Sequence, residues 1–115
     1  MNTTECKTID TKTKAKIRKS LQKQHSIGYF HSLESKAKAL SDMKRIEIFH
    51  ALTITELCVC EISDILNIPQ STVSGCIKEL YNANLVSRRR NGKWSYYSAK
   101  VPGEIGQEML LNEIQ

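Results

Sequence analysis

A chain of 115 residues, 40% hydrophobic and 25% charged, has room for one globular domain with a marginal core. That size is short for an enzyme with its own buried active site. The net charge of +5 points toward a polyanionic partner, nucleic acid fitting best, with a solvated, partly disordered basic tail as the alternative.

The charge is concentrated at the start. Residues 1–23 carry seven basic side chains against Glu5 and Asp10, while the remaining basic and acidic residues balance. No convincing apolar face accompanies them; Ile17 and Leu21 suggest at most a weak helical turn. Residues 1–28 are therefore expected to be a basic, partly disordered extension, and 29–115 the folded domain. Met1 to Lys23 has no apolar stretch, and no run approaches the roughly 18–20 residues of a membrane span. The expected location is the cytoplasm, with no membrane partner, and there the four cysteines stay reduced.

From Tyr29 helical periodicity begins. Phe30, Leu33, Ala37 and Leu40 form one apolar set. Ser41 and Asp42 then supply an N-cap for a helix over about 42–53, with Met43, Ile46, Phe49 and Leu52 inward and Ile48 flanking. The stretch Thr53-Ile54-Thr55-Glu56 interrupts it. A short helix follows with Val59, Ile62, Ile65 and Leu66, stopped by Asn67, which tolerates a left-handed backbone. Pro69 precedes a helix over about 70–82, with Val73, Ile77, Leu80 and Tyr81 inward and small polar residues outward. Two short helices joined by a tight turn, the second small and polar outside, match a helix-turn-helix.

Leu85 to Arg90 and Lys93 to Ser98 read as strands, and Asn91-Gly92 between them signals a two-residue type I′ hairpin turn. Arg88, Arg89, Arg90 and Lys93 make this hairpin basic, suited to phosphate or minor-groove contact. The predicted fold class is thus mostly α with a β-hairpin wing: a winged helix-turn-helix over roughly Ala37 to Ser98. Residues Glu104 to Gln115 can form one last short helix. No set of His, acid and nucleophile marks a catalytic site.

Cys58 and Cys60 stand two residues apart. On a regular helix that spacing turns their side chains about 200° apart, whereas extended or turn backbone points them the same way. A chelating pair therefore needs the helix to begin at or after Cys60, or to be distorted there. Paired thiolates select Zn(II), Cd(II), Pb(II), Cu(I) or trivalent arsenic, antimony or bismuth. A direct Cys58–Cys60 disulfide would be strained.

Four stretches carry a family resemblance: Ala39-Leu40-Ser41-Asp42 with Arg45-Ile46, Glu56-Leu57-Cys58-Val59-Cys60-Glu61-Ile62, Pro69-Gln70-Ser71-Thr72-Val73-Ser74, and Leu85-Val86 leading to Gly92-Lys93-Trp94-Ser95-Tyr96-Tyr97-Ser98. In order and spacing the chain resembles the ArsR/SmtB metalloregulatory repressors. The resemblance implies a homodimeric winged-helix repressor that binds double-stranded operator DNA until an inducer, usually a metal ion, arrives. It implies DNA contact by Gln70, Ser71, Thr72, Ser74, Gly75 and Lys78, alongside the basic wing. It also implies a cysteine site of Cys58 and Cys60, which Cys6 would complete across the dimer, for Cd, Pb, Zn or As/Sb. The chain departs from the family at Gly75 and Cys76, where a cationic residue or His is usual. A third cysteine of the box is replaced by Ser63. A second family site on the last helix is not expected, since no His follows His50. The alternatives are a DNA-binding regulator without metal sensing, controlled by cysteine redox state or a partner, and a small thiol or metal-carrier protein on the same scaffold.

Overall fold

The computed structural model of the chain describes residues 9–100. The expected last helix and Cys6 lie outside the described residues. Two compact units divide at His31/Ser32.

In the first unit, α1 runs Thr11–Ser26, where only a weak turn was expected. Asp10 caps it, its carboxylate accepting the Thr13 N–H at 2.7 Å. Lys, Arg, Gln, Ala and Leu dominate the segment, and all are good helix formers. No residue of α1 is buried, so the helix carries no apolar periodicity for a sequence pattern to reveal. Helix α2 follows at Tyr29–Ala39.

The second unit holds the core. Helix α3 (Met43–Ile54) starts at Asp42, whose carboxylate accepts the Arg45 N–H at 3.1 Å. Arg45 also reaches back to the end of α2, donating through Nε to the Ala39 carbonyl at 2.6 Å. One side chain thereby fixes the α2–α3 corner, because helix-end carbonyls have no partner within the helix. A two-residue strand, β1 (Leu57–Cys58), precedes α4 (Val59–Leu66). Asn67 ends α4 in the left-handed conformation, φ 56° and ψ 49°, as its residue type suggested. The Ile68 N–H closes the turn on the Ser63 carbonyl at 3.2 Å, and Ser63 Oγ donates to the Ile68 carbonyl at 2.6 Å. Helix α5 (Gln70–Asn82) begins directly after Pro69. Asn84, at φ 64°, ends it in a Schellman motif: Leu85 N–H bonds the Leu80 carbonyl and Asn84 N–H the Tyr81 carbonyl.

Strands β2 (Val86–Asn91) and β3 (Trp94–Ala99) form the wing. The sheet order is β1-β3-β2, all antiparallel. The third strand, β1, was not legible in the sequence because two residues carry no alternation. Asn91 pairs with Trp94, so the turn is Gly92-Lys93 rather than Asn91-Gly92. Gly92 takes φ 65° and Lys93 does not have positive φ. Gly in the first central position is the pattern of a type II′ turn, not the expected type I′.

The core lies among α3, α4, α5 and the base of the sheet, with Ile48, Phe49, Ile62, Val73, Leu80, Leu85 and Val86 almost wholly inaccessible. Several expected core residues face out instead. Met43, Ile65 and Tyr81 are exposed, and Ala37 is exposed while Lys36 is buried. On α3 the buried stripe is Ile48, Phe49 and Leu52, so Ile48, expected to flank, faces inward, while Met43 falls outside the stripe. The Lys36 ammonium donates to Ser32 Oγ at 3.1 Å.

Candidate nucleic-acid interface and cysteine pair

Of the six residues expected to meet DNA on α5, all but Lys78 lie in its N-terminal half. Gln70, Ser71, Ser74, Gly75 and Lys78 are exposed and Thr72 is half-buried. Val73, Ile77 and Leu80 anchor the opposite face in the core. A Cβ added at Gly75 would meet no heavy atom within 4 Å, and its φ is ordinary. Glycine is therefore not demanded there by the protein's own packing. Cys76 is half-buried against the core, and burial, with Asp42 nearby, raises its thiol pKa.

The wing's four cations are all exposed but are not equivalent. Directly paired residues of an antiparallel sheet point to the same face. Leu57, Tyr97 and Arg88 therefore form one cross-strand row, and Cys58, Tyr96 and Arg89 the next. On the first row, Arg88 lies over the Tyr81 ring at 5.3 Å. It lines a cleft of about 170 Å³ with Ser74, Lys78, Tyr97 and three other residues, joining the recognition helix to the wing. On the second row, Arg89 lies over Tyr96 at 5.1 Å. It also makes a bidentate pair with Glu56, Nε to Oε2 at 2.9 Å and an NH2 to Oε1 at 2.8 Å. This pair holds the Glu56 carboxyl below the usual carboxylate range and raises Arg89. Lys93 sits 5.7 Å from the Trp94 ring, and Arg90 has no acidic partner among the described residues.

Glu56, Tyr81, Tyr96 and Tyr97 thus contact or flank the candidate cations Arg88 and Arg89, a role that sequence reasoning passed over. For Tyr81 the signal was misleading: its helical spacing suggested core, but it is 44% exposed and carries Arg88.

The cysteine pair straddles the junction of β1 and α4. Cys58 is the N-cap, extended at φ −94° and ψ 168°, and is buried. Its N–H donates to Glu61 Oε1 at 2.9 Å. Cys60 already belongs to the first turn of α4 and is exposed. Both thiols are free. The helix therefore begins one residue earlier than chelation by the undistorted pair would require. Among the described residues no cluster of three or more His, Cys, Asp or Glu side chains is assembled for a metal ion.

A helix-turn-helix with an exposed, small and polar recognition helix, joined through a basic cleft to a cationic hairpin, defines a winged-helix DNA-binding protein. The sequence model of the bacterial regulatory proteins of the arsR family matches residues 42–88. An arsenical resistance operon repressor of Bacillus subtilis is 39% identical over 80 residues, covering 66% of this chain and 76% of that protein. A cadmium resistance transcriptional regulatory protein homologue from Staphylococcus aureus is 39% identical over 62 residues, 53% of this chain and 51% of that one. In fold, the homodimeric winged helix-turn-helix DNA-binding domain of a Mycobacterium bovis protein superposes with a TM-score of 0.68 at 22% identity, over 77% of this chain and 82% of that one. The chain belongs to the arsR family: it is a DNA-binding transcription regulator and not an enzyme. No helix among the described residues is long and apolar enough to cross a membrane.

Proposed function

We propose that this chain is a homodimeric, cytoplasmic repressor that releases its operator DNA when a thiophilic metal or metalloid ion binds at Cys58 and Cys60. The observation that carries the reading is the placement of the two free cysteines at the start of α4, the first helix of the helix-turn-helix. Relatives named for arsenical and for cadmium resistance support a metal or metalloid inducer, as does the soft donor set. The homodimeric structural neighbour supports two reading heads per operator.

On the DNA side, Gln70, Ser71, Thr72, Ser74, Gly75 and Lys78 would enter the major groove. Their short hydroxyls and the positive N-terminus of α5 suit phosphates and base edges. Arg88, Arg90 and Lys93 would contact the flanking backbone, with Arg89 held in reserve by Glu56.

On the sensing side, Cys58 and Cys60, with Cys6 as a third thiolate, would hold Cd, Pb, Zn or As/Sb. Such an ion supplies strong thiolate coordination when bound. What the chain contributes is the cost of bringing the pair together. Cys60 is helical, so aligning it with Cys58 means opening the first turn of α4 and giving up the Glu61 cap. That turn adjoins the wing through the Cys58–Tyr96 pairing and α5 through the core. A coupling of about 1–3 kcal/mol corresponds to a 5–150-fold loss of DNA affinity.

The test is an anisotropy titration of the promoter duplex with Cd(II), Pb(II), Zn(II) and As(III), under reducing conditions. Release by at least one of them, with a thiolate-to-metal absorption band that Cys58→Ala/Cys60→Ala abolishes, is the expected result. Retained affinity with every ion and no such band would overturn the sensing reading. Release by an oxidant alone would transfer the switch to thiol redox chemistry.

A further inference from the structure

Over Thr11–Ser26 the basic N-terminal segment is helical, and the helix arranges its charge. At about 100° per residue, Lys12, Lys16, Lys19 and Lys23 fall within about 60° of arc on α1, one to each turn. All four are exposed. Helix α1 holds no acidic residue at any position. The row extends about 16 Å along the axis, at a rise of about 1.5 Å per residue.

This row is unfavourable for the isolated helix. Like charges spaced three and four residues apart repel, each pair by a few tenths of a kcal/mol. Lys12 and Lys14 also stand in the first turn, where the helix dipole disfavours cations, and no acid offsets them. A helix that keeps four aligned lysines against these terms gains when a polyanion lies along it. Duplex DNA presents such a partner, with a phosphate every 3.4 Å of axis on each strand. A lipid surface fits less well. The side opposite the lysines offers only Ile17 and Leu21 as large apolar residues, flanked by Lys14 and Arg18, too little for an interfacial helix.

We infer that the Lys12–Lys16–Lys19–Lys23 face of α1 is a second DNA-contacting surface, which engages duplex phosphates without reading sequence. This rests on the reading of the chain as a DNA-binding protein, and it adds a contact element beyond the recognition helix and wing.

The experiment compares the full-length wild type with Lys12→Gln/Lys16→Gln/Lys19→Gln/Lys23→Gln on a fluorescein-labelled random-sequence duplex, between about 50 and 200 mM salt. Gln matches Lys in helix propensity, so far-UV circular dichroism should show α1 kept or strengthened. Each lost phosphate contact lowers the salt slope by about 0.9. The expected fall is between about 0.9 and 3.6 per chain, with affinity reduced at least about eightfold at 0.1 M salt. A fall of less than about 0.9 in a variant that keeps its helix overturns the inference while the wild type's own binding still stands. A wild type that binds no duplex overturns this inference and the DNA reading together. Binding to phosphatidylserine-containing vesicles that the variant loses, with duplex affinity unchanged, would also overturn it.

Discussion

The three consecutive arginines of the wing should behave differently, although the sequence treats them alike. Arg89 is clamped by both carboxylate oxygens of Glu56, so its charge is compensated before DNA arrives. Arg90 is exposed, with no acidic partner among the described residues, and Arg88 is aimed into the cleft beside Lys78. A cation that neutralises one phosphate contributes about 0.9 to the salt slope. At 0.1 M salt this is about eightfold in affinity. Arg88→Ala and Arg90→Ala should each remove that much per protomer. Arg89→Ala should leave the slope within about 0.3 of wild type, well under one phosphate contact. Glu56→Gln should raise it toward one extra contact, since Gln cannot compensate the guanidinium. Anisotropy titrations across a salt series, on the same duplex for all four variants, measure these slopes. If Arg89→Ala flattens the slope as much as Arg90→Ala and Glu56→Gln changes nothing, the pair does not persist on DNA and the reasoning fails.

Other outcomes follow from the same geometry. Gly75→Ala should stabilise α5 by about 0.5–1 kcal/mol, because the added methyl meets open space, and chemical denaturation checks it. If the bare backbone at Gly75 lies close to DNA, the same variant loses affinity while gaining stability. Ile62→Ala removes a fully buried side chain between the two helices of the reading head and should cost about 2–5 kcal/mol, read as a lower urea midpoint. The Glu56 carboxyl has a lowered pKa in the fold, so the ion pair's contribution is complete above the usual carboxylate range and fades as pH falls through the lowered value. An NMR titration of Glu56 should therefore show a midpoint below that of an exposed glutamate, and Arg89→Ala should return it upward.

The reading head was legible because its signals are local. Asn67 and Pro69 bracket the turn, and each adopts the backbone that its residue type favours. The apolar residues of both helices recur at helical spacing, though Ile65 and Tyr81 face out, and the expected span of α5 agrees with the structure. Three features escaped for physical reasons. Helix α1 buries nothing, so hydrophobic periodicity had no handle on it, and only capping and propensity could have revealed it. Strand β1 is too short to alternate, and its pairing with β3 depends on a partner nearly forty residues away. The hairpin turn slipped by one residue because register depends on how the wing packs at its base, where Val86 pairs with Ala99, as much as on the Asn-Gly dipeptide. At the candidate site, the residue types on α5 and the wing were readable, but the Glu56–Arg89 pair joins positions 33 residues apart that no local pattern connects.

The choice of Cys58 as the residue that starts α4 has a consequence for time as well as for binding. Helices are commonly opened by Ser, Thr, Asp or Asn, whose oxygens accept amide protons well, whereas sulfur accepts them poorly. With Glu61 as the firm half of the cap, the first turn of α4 should breathe more readily than the rest of the helix. Its amides at Cys60 and Glu61 should exchange with solvent ahead of those near Ile62, whose side chain is locked in the core. Serine at position 58 would slow that breathing while deleting the thiol, and alanine would quicken it. The familiar cysteine-to-serine control would therefore alter how often the segment opens, in addition to what it can hold.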